Sequence, residues 1–318
     1  MNISMKKSAL LLAALLLASL SLDAQVGKRR KGYVEPEDPR ANKIGAVIEV
    51  PTQMTPQDSI AFVTADWNWK KMGGNKKTGV WAGSAQLEMF GSRQFISIVK
   101  FRPGKHRLCV KVGEGQEDAR TTSEYGRERG ALAAANASYF NVKALTAVNF
   151  IKDDGTVIAH QTAREGKFRS NACLFIGKDG TLYITGTDGK DCEETGKNYH
   201  EALSAGPLLM KDGKTVDYNV QDTRFYRKRH PRTLVGYKAD GETFLIVVDG
   251  RFDNGQGMTV RELSLICRLL GMKDAMNLDG GGSCSLWTKK TGVLNHPYDN
   301  HHWDHEGERI VPNALVIK

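Results

Sequence analysis

The sequence predicts an α+β fold: a mixed, largely antiparallel sheet, helices packed on it, and a parallel βαβ unit near the C-terminus. Three observations predict it. Short β-type runs in the first two thirds are joined across Asp-Gly turns. The last third instead holds an apolar run, a capped helical stretch and a second apolar run. The composition, 40% hydrophobic and 25% charged over 318 residues, is that of an ordinary globular chain.

Met5, Lys6 and Lys7 precede an apolar run from Ala9 to Leu20 and a small residue, Ala24. This is the pattern of a secretory signal peptide over residues 1–24, and the run is too short for a membrane span. Residues 25–42, with Lys28-Arg-Arg-Lys31, Pro36 and Pro39, read as a basic disordered linker. Residues 43–318 then read as one domain whose motifs begin at about Phe95. The net charge of +9 fits a solvated tail. An exported chain with no aromatic-interleaved basic motif gives no reason to expect nucleic acid as a partner. The five cysteines, Cys109, Cys173, Cys192, Cys267 and Cys284, suggest neither a disulfide framework nor a zinc site; one bridge is compatible with them, but spacing singles out no pair.

Along the domain, Ala46–Val50 is a strand candidate, and Trp67, Trp69 and Trp81 lie among Gly and Lys as if packing on an edge. Gln94–Phe101 and Leu108–Val112 are strand-like and, with Arg102-Pro-Gly104 between them, are expected to pair. Thr121–Ala135 starts with capping residues and ends in alanines, which predicts a helix running into a buried segment. Two hairpins follow, Val148–Ile151 with Thr156–Ile158 across Asp153-Asp-Gly155, and Ala172–Ile176 with Thr181–Ile184 across Lys178-Asp-Gly180. Phe244–Val248 has the continuous apolar character of a strand buried on both faces. Thr259 with Glu262 makes a capping box, Val260, Leu263, Ile266, Cys267 and Leu270 fall on one helical face, and Gly271 is a stop. Ala275–Leu278 is the next strand. If these strands run parallel with a right-handed crossover, Asp249 and Asp279 reach the same carboxyl edge, where ligands bind in open α/β sheets. Arg251 and the glycines Gly280, Gly281 and Gly282 would join them there.

Several constellations are excluded or left as rivals. Gly213-Lys-Thr215 lacks the earlier glycine of a P-loop, and Gly255-Gln-Gly257 lacks the third glycine of a dinucleotide site. Ser204 and Cys284 are candidate nucleophiles without the expected neighbours. His296, His301, His302 and His305, with Asp299 and Asp304, form a cluster that matches no standard metal spacing. Arg232, after His230 and Pro231, suits a bidentate grip on phosphate or carboxylate.

Asn136-Ala-Ser-Tyr-Phe140, Ser204-Ala-Gly206-Pro-Leu-Leu, His230-Pro-Arg232-Thr233, Val248-Asp-Gly-Arg251, Met258-Thr-x-x-Glu-Leu263, Asn277-Leu-Asp-Gly-Gly-Gly-Ser283 and Arg309-Ile-Val-Pro-Asn-Ala-Leu-Val316 occur in this order. Together they resemble the phosphodiester glycosidase family from about Phe95 to the C-terminus. One departure stands out: the family's Asn-Gly-Gly-Phe-Phe is here Asn136-Ala137-Ser138-Tyr139-Phe140, so a reshaped pocket is expected.

The resemblance implies hydrolysis of a sugar-1-phosphodiester in a glycan or glycoconjugate. The implied catalytic residues are Asp279 as nucleophile or base, Asp249 as partner acid or orienter of Arg251, and Arg232 with Arg251 on the phosphate. Asn136 would hold a sugar hydroxyl, and Gly206, His230, Thr233, Gly280, Gly281, Gly282 and Ser283 would line the substrate. The expected partner is a carbohydrate or sugar phosphate. No cofactor is required on this reading, which leaves open a structural divalent cation and metal binding by the histidine-rich segment 296–305. Three rivals stand beside this reading: a divalent-metal phosphodiesterase, a non-catalytic envelope glycan-binding module, and a serine or cysteine hydrolase.

Overall fold

In the strand Thr243–Val248, Leu245 and Val247 enter one core while Phe244, Ile246 and Val248 enter another. Burial on both sides is why this stretch shows no polar alternation. In the computed structural model, which describes residues 53–75, 78–162, 169–187, 190–218 and 223–318, this strand is central to an eight-stranded sheet. The order across that sheet is Lys70–Gly73, Val80–Met89, Ser92–Phe101, Thr243–Val248, Arg232–Tyr237, Asp274–Asn277, Leu208–Lys211 and Lys214–Thr215. The signal-peptide, linker and Ala46–Val50 expectations lie outside the described residues.

One face of the sheet packs on the helices Pro56–Thr64 and Val260–Leu269 through Phe62, Val260, Leu263, Ile266 and Cys267. The other shares a core with two five-stranded sheets, built around Glu201–Ala205 and Ala133–Asn136. The ladders of all three sheets are antiparallel.

The βαβ expectation takes a specific form. Thr243–Val248 and Asp274–Asn277 both pair antiparallel with Arg232–Tyr237, which lies between them. They therefore run in the same direction without touching, and their carboxyl ends flank the amino end of the middle strand. The connecting helix starts at the expected box: the Thr259 amide donates to Glu262 Oε2 at 2.8 Å and the Glu262 amide to Thr259 Oγ1 at 3.2 Å. Gly271 follows it at φ +71°.

Both Asp-Gly hairpins form, and at the first of them Asp154 and Gly155 both have positive φ, as a tight two-residue hairpin turn requires. Two other expectations fail. Ser92–Phe101 pairs with Val80–Met89 and Thr243–Val248, while Leu108–Val112 pairs with Asn313–Ile317. Val99, Phe101, Leu108 and Val110 all enter one core, so the two strands face each other across it in different sheets. The helix from Thr121 ends at Glu128, Gly130 takes φ +62°, and Ala133–Asn136 is a strand. Ala133 and Ala135 face one core and Ala134 another; two-sided burial overrides the helical preference of alanine.

A disulfide joins Cys173 in Ala172–Ile176 to Cys192 in Lys190–Gly196, with Cα atoms 5.9 Å apart. Spacing among five cysteines could not select that pair. Cys109, Cys267 and Cys284 are buried free thiols. No helix among the described residues is long and apolar enough to cross a membrane.

Candidate active site

The strand ends bring together Val248-Asp-Gly-Arg251, Leu278-Asp-Gly-Gly-Gly282 and His230-Pro-Arg232. Register fixes this: Arg232 lies opposite Val248 and Leu234 opposite Asn277. The glycines permit the close approach. A Cβ on Gly250 would collide with Pro231, and one on Gly280 would lie 2.8 Å from the Pro231 carbonyl oxygen.

Asp249 is only 1% exposed. Its Oδ2 accepts the His296 amide and His296 Nδ1, each at 2.8 Å, and its Oδ1 accepts Asn295 Nδ2 at 3.1 Å. Burial pushes its carboxyl above the usual range, against the opposing pull of His296 and Asn295. With Nδ1 turned to the carboxylate, Nε2 is the ring nitrogen left for other chemistry. The imidazole is clamped by aromatic neighbours: stacked on Trp303 with centroids 3.7 Å apart, on His305 at 4.4 Å, and edge-on to Phe95 at 4.6 Å. Its side chain is 10% exposed. The sequence showed His296 only as one of a histidine group; the missing signal was Asn295-His296 folding back onto a strand-end acid.

Asp279 is half-buried. Its amide donates to the Ala137 carbonyl at 2.8 Å, its carbonyl accepts Asn136 Nδ2 at 2.8 Å, and its Oδ1 accepts the Gly280 amide at 2.8 Å. Asn136 is buried and its Oδ1 takes the Thr233 hydroxyl at 2.7 Å and the Ser285 amide at 3.2 Å. Asn136 and Thr233 thus hold the Asp279 backbone, which corrects the expectation that Asn136 holds a sugar.

The triple glycine also works differently from the expectation. The Gly280 amide serves the Asp279 carboxylate and the Gly281 amide the Pro231 carbonyl, at 3.0 Å, so neither is aimed at a phosphate. What the glycines provide is room for cations. A Cβ on Gly281 would lie 3.1 Å from Arg251 Nη2, and one on Gly282 would strike the Arg309–Asp299 ion pair. Arg251 itself has φ +69°, stacks on Tyr298 at 5.0 Å, and makes no hydrogen bond or ion pair among the described residues. Asp249 does not orient it. Ser283 is buried, its hydroxyl without a partner among the described residues.

Arg232 is 2% exposed. Nε donates to the Met258 carbonyl at 3.0 Å, Nη2 to those of Phe225 at 2.6 Å and Lys228 at 3.3 Å. A bidentate grip on phosphate is therefore unavailable, and only Nη1 lacks a hydrogen-bond partner among the described residues. Burial pulls its guanidinium down to about 10. The rings and cations here gather around Phe225, which lies 4.8 Å from the Arg232 guanidinium and 4.6 Å from that of Arg169. Gly206 takes φ +143° where a Cβ would meet the Arg169 carbonyl, and its own carbonyl accepts the Tyr139 hydroxyl at 2.6 Å and Asn277 Nδ2 at 2.8 Å. Burial, and then the Asp279 charge, hold the Tyr139 phenol neutral. His230 is tied to the loop before the helix by two backbone bonds with Met258.

The substituted glycines of Asn136-Ala137-Ser138 do not line an opening. Ala137 belongs to the apolar core, and the buried Ser138 hydroxyl donates to the Ser204 carbonyl at 2.5 Å. The nucleophile rivals are poorly placed. Ser204 is fully buried, its hydroxyl bonded to Gln161 Oε1 at 2.6 Å and to the Phe150 amide at 3.0 Å. Cys284 accepts the Thr233 hydroxyl, and burial pushes its thiol up to about 12. Among the described residues no group of three or more His, Cys, Asp or Glu side chains is placed to hold a metal ion.

Comparison with known proteins gives a consistent family. The sequence profile of the phosphodiester glycosidase family matches residues 129–318. A SPbeta prophage-derived uncharacterized protein of Bacillus subtilis (strain 168) is 27% identical over 170 residues, 53% of this chain and 26% of that protein. The N-acetylglucosamine-1-phosphodiester alpha-N-acetylglucosaminidase of Mus musculus is 22% identical over 200 residues, 59% of this chain and 37% of that protein. The matched regions thus span well under half the length of these curated relatives. The catalytic domain of the zebrafish N-acetylglucosamine-1-phosphodiester alpha-N-acetylglucosaminidase, auto-inhibited by its pro-peptide, has the same fold: TM-score 0.61 at 20% identity, over 78% of this chain and 87% of that one. A crystal structure of a protein from Synechocystis aligns with TM-score 0.53 at 15% identity, over 75% of this chain and 62% of that one.

Proposed function

The chain belongs to the phosphodiester glycosidase family, and from that premise we propose that it is an exported hydrolase that cleaves a sugar-1-phosphodiester at the anomeric carbon. Water adds to the sugar carbon, the C–O bond breaks, and a phosphomonoester leaves. The observation that carries the reading is the gathering at one sheet edge of Asp279, the Asp249–His296 pair and Arg251.

Each group has a task suited to its surroundings. A phosphomonoester is already a stable leaving anion, so the site's main needs are a carboxylate for the oxocarbenium-like carbon and cations for the phosphate. Asp279 supplies the carboxylate, as nucleophile or as the base for water. Asp249, fully desolvated, keeps His296 oriented, and Nε2 takes the proton that water releases. Arg251, seated against Gly281, meets the phosphate as a charge-assisted donor, with Arg232 Nη1 as a single further donor. No metal takes part in this scheme. The disulfide and the N-terminal signal pattern support export to an oxidising compartment.

The mouse relative is named for N-acetylglucosamine-1-phosphodiesters, so such a diester is the first substrate to offer. The purified chain is expected to release free sugar and phosphomonoester, with and without chelator. Binding without turnover would favour a glycan-binding module, and turnover abolished by chelator would favour the metal phosphodiesterase.

A further inference from the structure

Next to the segment that holds Asp279 lies a polar cluster that the scheme above does not use: Ser138, Asn149, Gln161, Ser170 and Ser204. All but Gln161 are at most 2% exposed. The strand pattern explains its place. Leu203 and Ala205 of Glu201–Ala205 enter the shared apolar core, so Ser204 points to the other face of that strand. Ala137 enters the same core, and the Ser138 hydroxyl beside it turns to the Ser204 carbonyl. The Asn149 carboxamide ties the cluster together. Its Nδ2 donates to Ser138 Oγ at 3.1 Å and to the Ser204 carbonyl at 3.0 Å. Its Oδ1 accepts the Ser170 hydroxyl at 3.1 Å and Gln161 Nε2 at 3.3 Å. A carboxamide has two donors and two acceptor positions, so every one is engaged. Buried polar groups are costly unless paired, and a fully paired network holds its surroundings in one arrangement.

Three members belong to segments that reach the candidate active site. Ser138 stands between Ala137, whose carbonyl takes the Asp279 amide, and Tyr139, whose hydroxyl bonds the Gly206 carbonyl. Its own amide donates to Asn313 Oδ1 at 2.6 Å. Ser204 lies two residues before Gly206, and Ser170 follows Arg169, which shares the Phe225 ring with Arg232. Gln161 anchors the set from outside. Its Oε1 accepts the Ser204 hydroxyl at 2.6 Å, and its amide donates at 2.9 Å to Glu193 Oε1, on the helix that the disulfide holds. A shift of the Asn149 carboxamide therefore reaches the carbonyl that holds Asp279 through one residue, Ser138.

We propose that Asn149 and Ser138 are positioning residues: neither touches substrate, and together they fix where the Asp279 carboxylate stands. The inference rests on the function proposed above. The link is particular to this chain, because the family's glycine at the place of Ser138 has no hydroxyl to offer Asn149. Ser138 does not take a positive φ, so the backbone here does not need glycine, and serine adds a side-chain tie that glycine cannot. A displacement of about 1 Å, caused by a change remote from the reacting atoms, can cost about 10²-fold in rate. Asp279 acts on the reacting carbon, so misplacing it lowers kcat and kcat/KM alike and leaves KM unchanged.

The test measures kcat, KM and thermal midpoint on the methyl diester of N-acetylglucosamine 1-phosphate. The full chain is used as wild type, Asn149→Ala, Ser138→Gly, the double variant and Phe62→Leu. Phe62 packs on the opposite face of the eight-stranded sheet, so its truncation lowers the midpoint without touching the network. Asn149→Ala and Ser138→Gly should each lower kcat by roughly tenfold to a hundredfold with KM unchanged. The double variant should lose little more than Asn149→Ala, since the two act as a unit. Phe62→Leu should keep wild-type kcat despite its lower midpoint. Unchanged kcat in the network variants, a loss confined to KM, or an equal loss of kcat in Phe62→Leu would overturn the positioning role alone. Absence of turnover by wild type would overturn the proposed function and this role with it. Should Asn149→Ala fail to fold, Ser138→Gly, which restores the family's residue, decides by itself.

Discussion

Asp249 and Asp279 look alike in sequence: each ends an apolar run and precedes glycine. Their surroundings differ in kind. Asp249 is shut away from solvent and its carboxylate is wholly engaged by Asn295 and His296. Asp279 is half-buried, its backbone fixed by Ala137 and Asn136 and one carboxylate oxygen by the Gly280 amide. A desolvated carboxylate surrounded by donors is built to orient a partner, whereas one at the rim can meet a reacting atom. Similar local sequence thus yields two roles, separated by what the rest of the chain lays over each acid.

The largest expected effect is that of Asp279→Asn, a fall in kcat of roughly 10⁴-fold, the upper end of what a positioned acid–base group supplies. Steady-state kinetics on the diester would show it, and a smaller loss than that of Asp249→Asn would reverse the assignment. His296→Gln should lower kcat by roughly 10²-fold. Asp249→Asn combined with His296→Gln should cost little more than either alone, since they act as a unit. Arg251→Ala should raise KM by roughly tenfold to a hundredfold, the range of one charge-assisted hydrogen bond. Asn136→Ala should destabilise by about 1–3 kcal/mol, from the donors and acceptor it leaves unpaired, seen as a lower thermal midpoint. Iodoacetamide should leave native activity unchanged, since the Cys284 thiol is buried and neutral.

Much of this is legible in the sequence. Thr259 and Glu262 marked the helix start, Gly271 its end, and the two apolar runs gave strand ends at Asp249 and Asp279, because capping and two-sided burial are local signals. What stayed hidden depended on long-range contacts. His296 lies 47 residues from its carboxylate partner, Arg232 turns its guanidinium to carbonyls of a segment that sequence shows only as a basic run, and Cys173 meets Cys192 through strand and helix packing. A run of glycines signals space without saying what fills it, and here the guanidinium groups of Arg251 and Arg309 approach that space.

The most direct test of the account is the position of bond cleavage. Hydrolysis of a sugar-1-phosphodiester by the wild-type chain in ¹⁸O-labelled water, followed by mass spectrometry of both products, reads it in one experiment. Attack at the anomeric carbon places label in the anomeric hydroxyl of the released sugar and none in the phosphomonoester. Label in the phosphate would mean attack at phosphorus, and would contradict it.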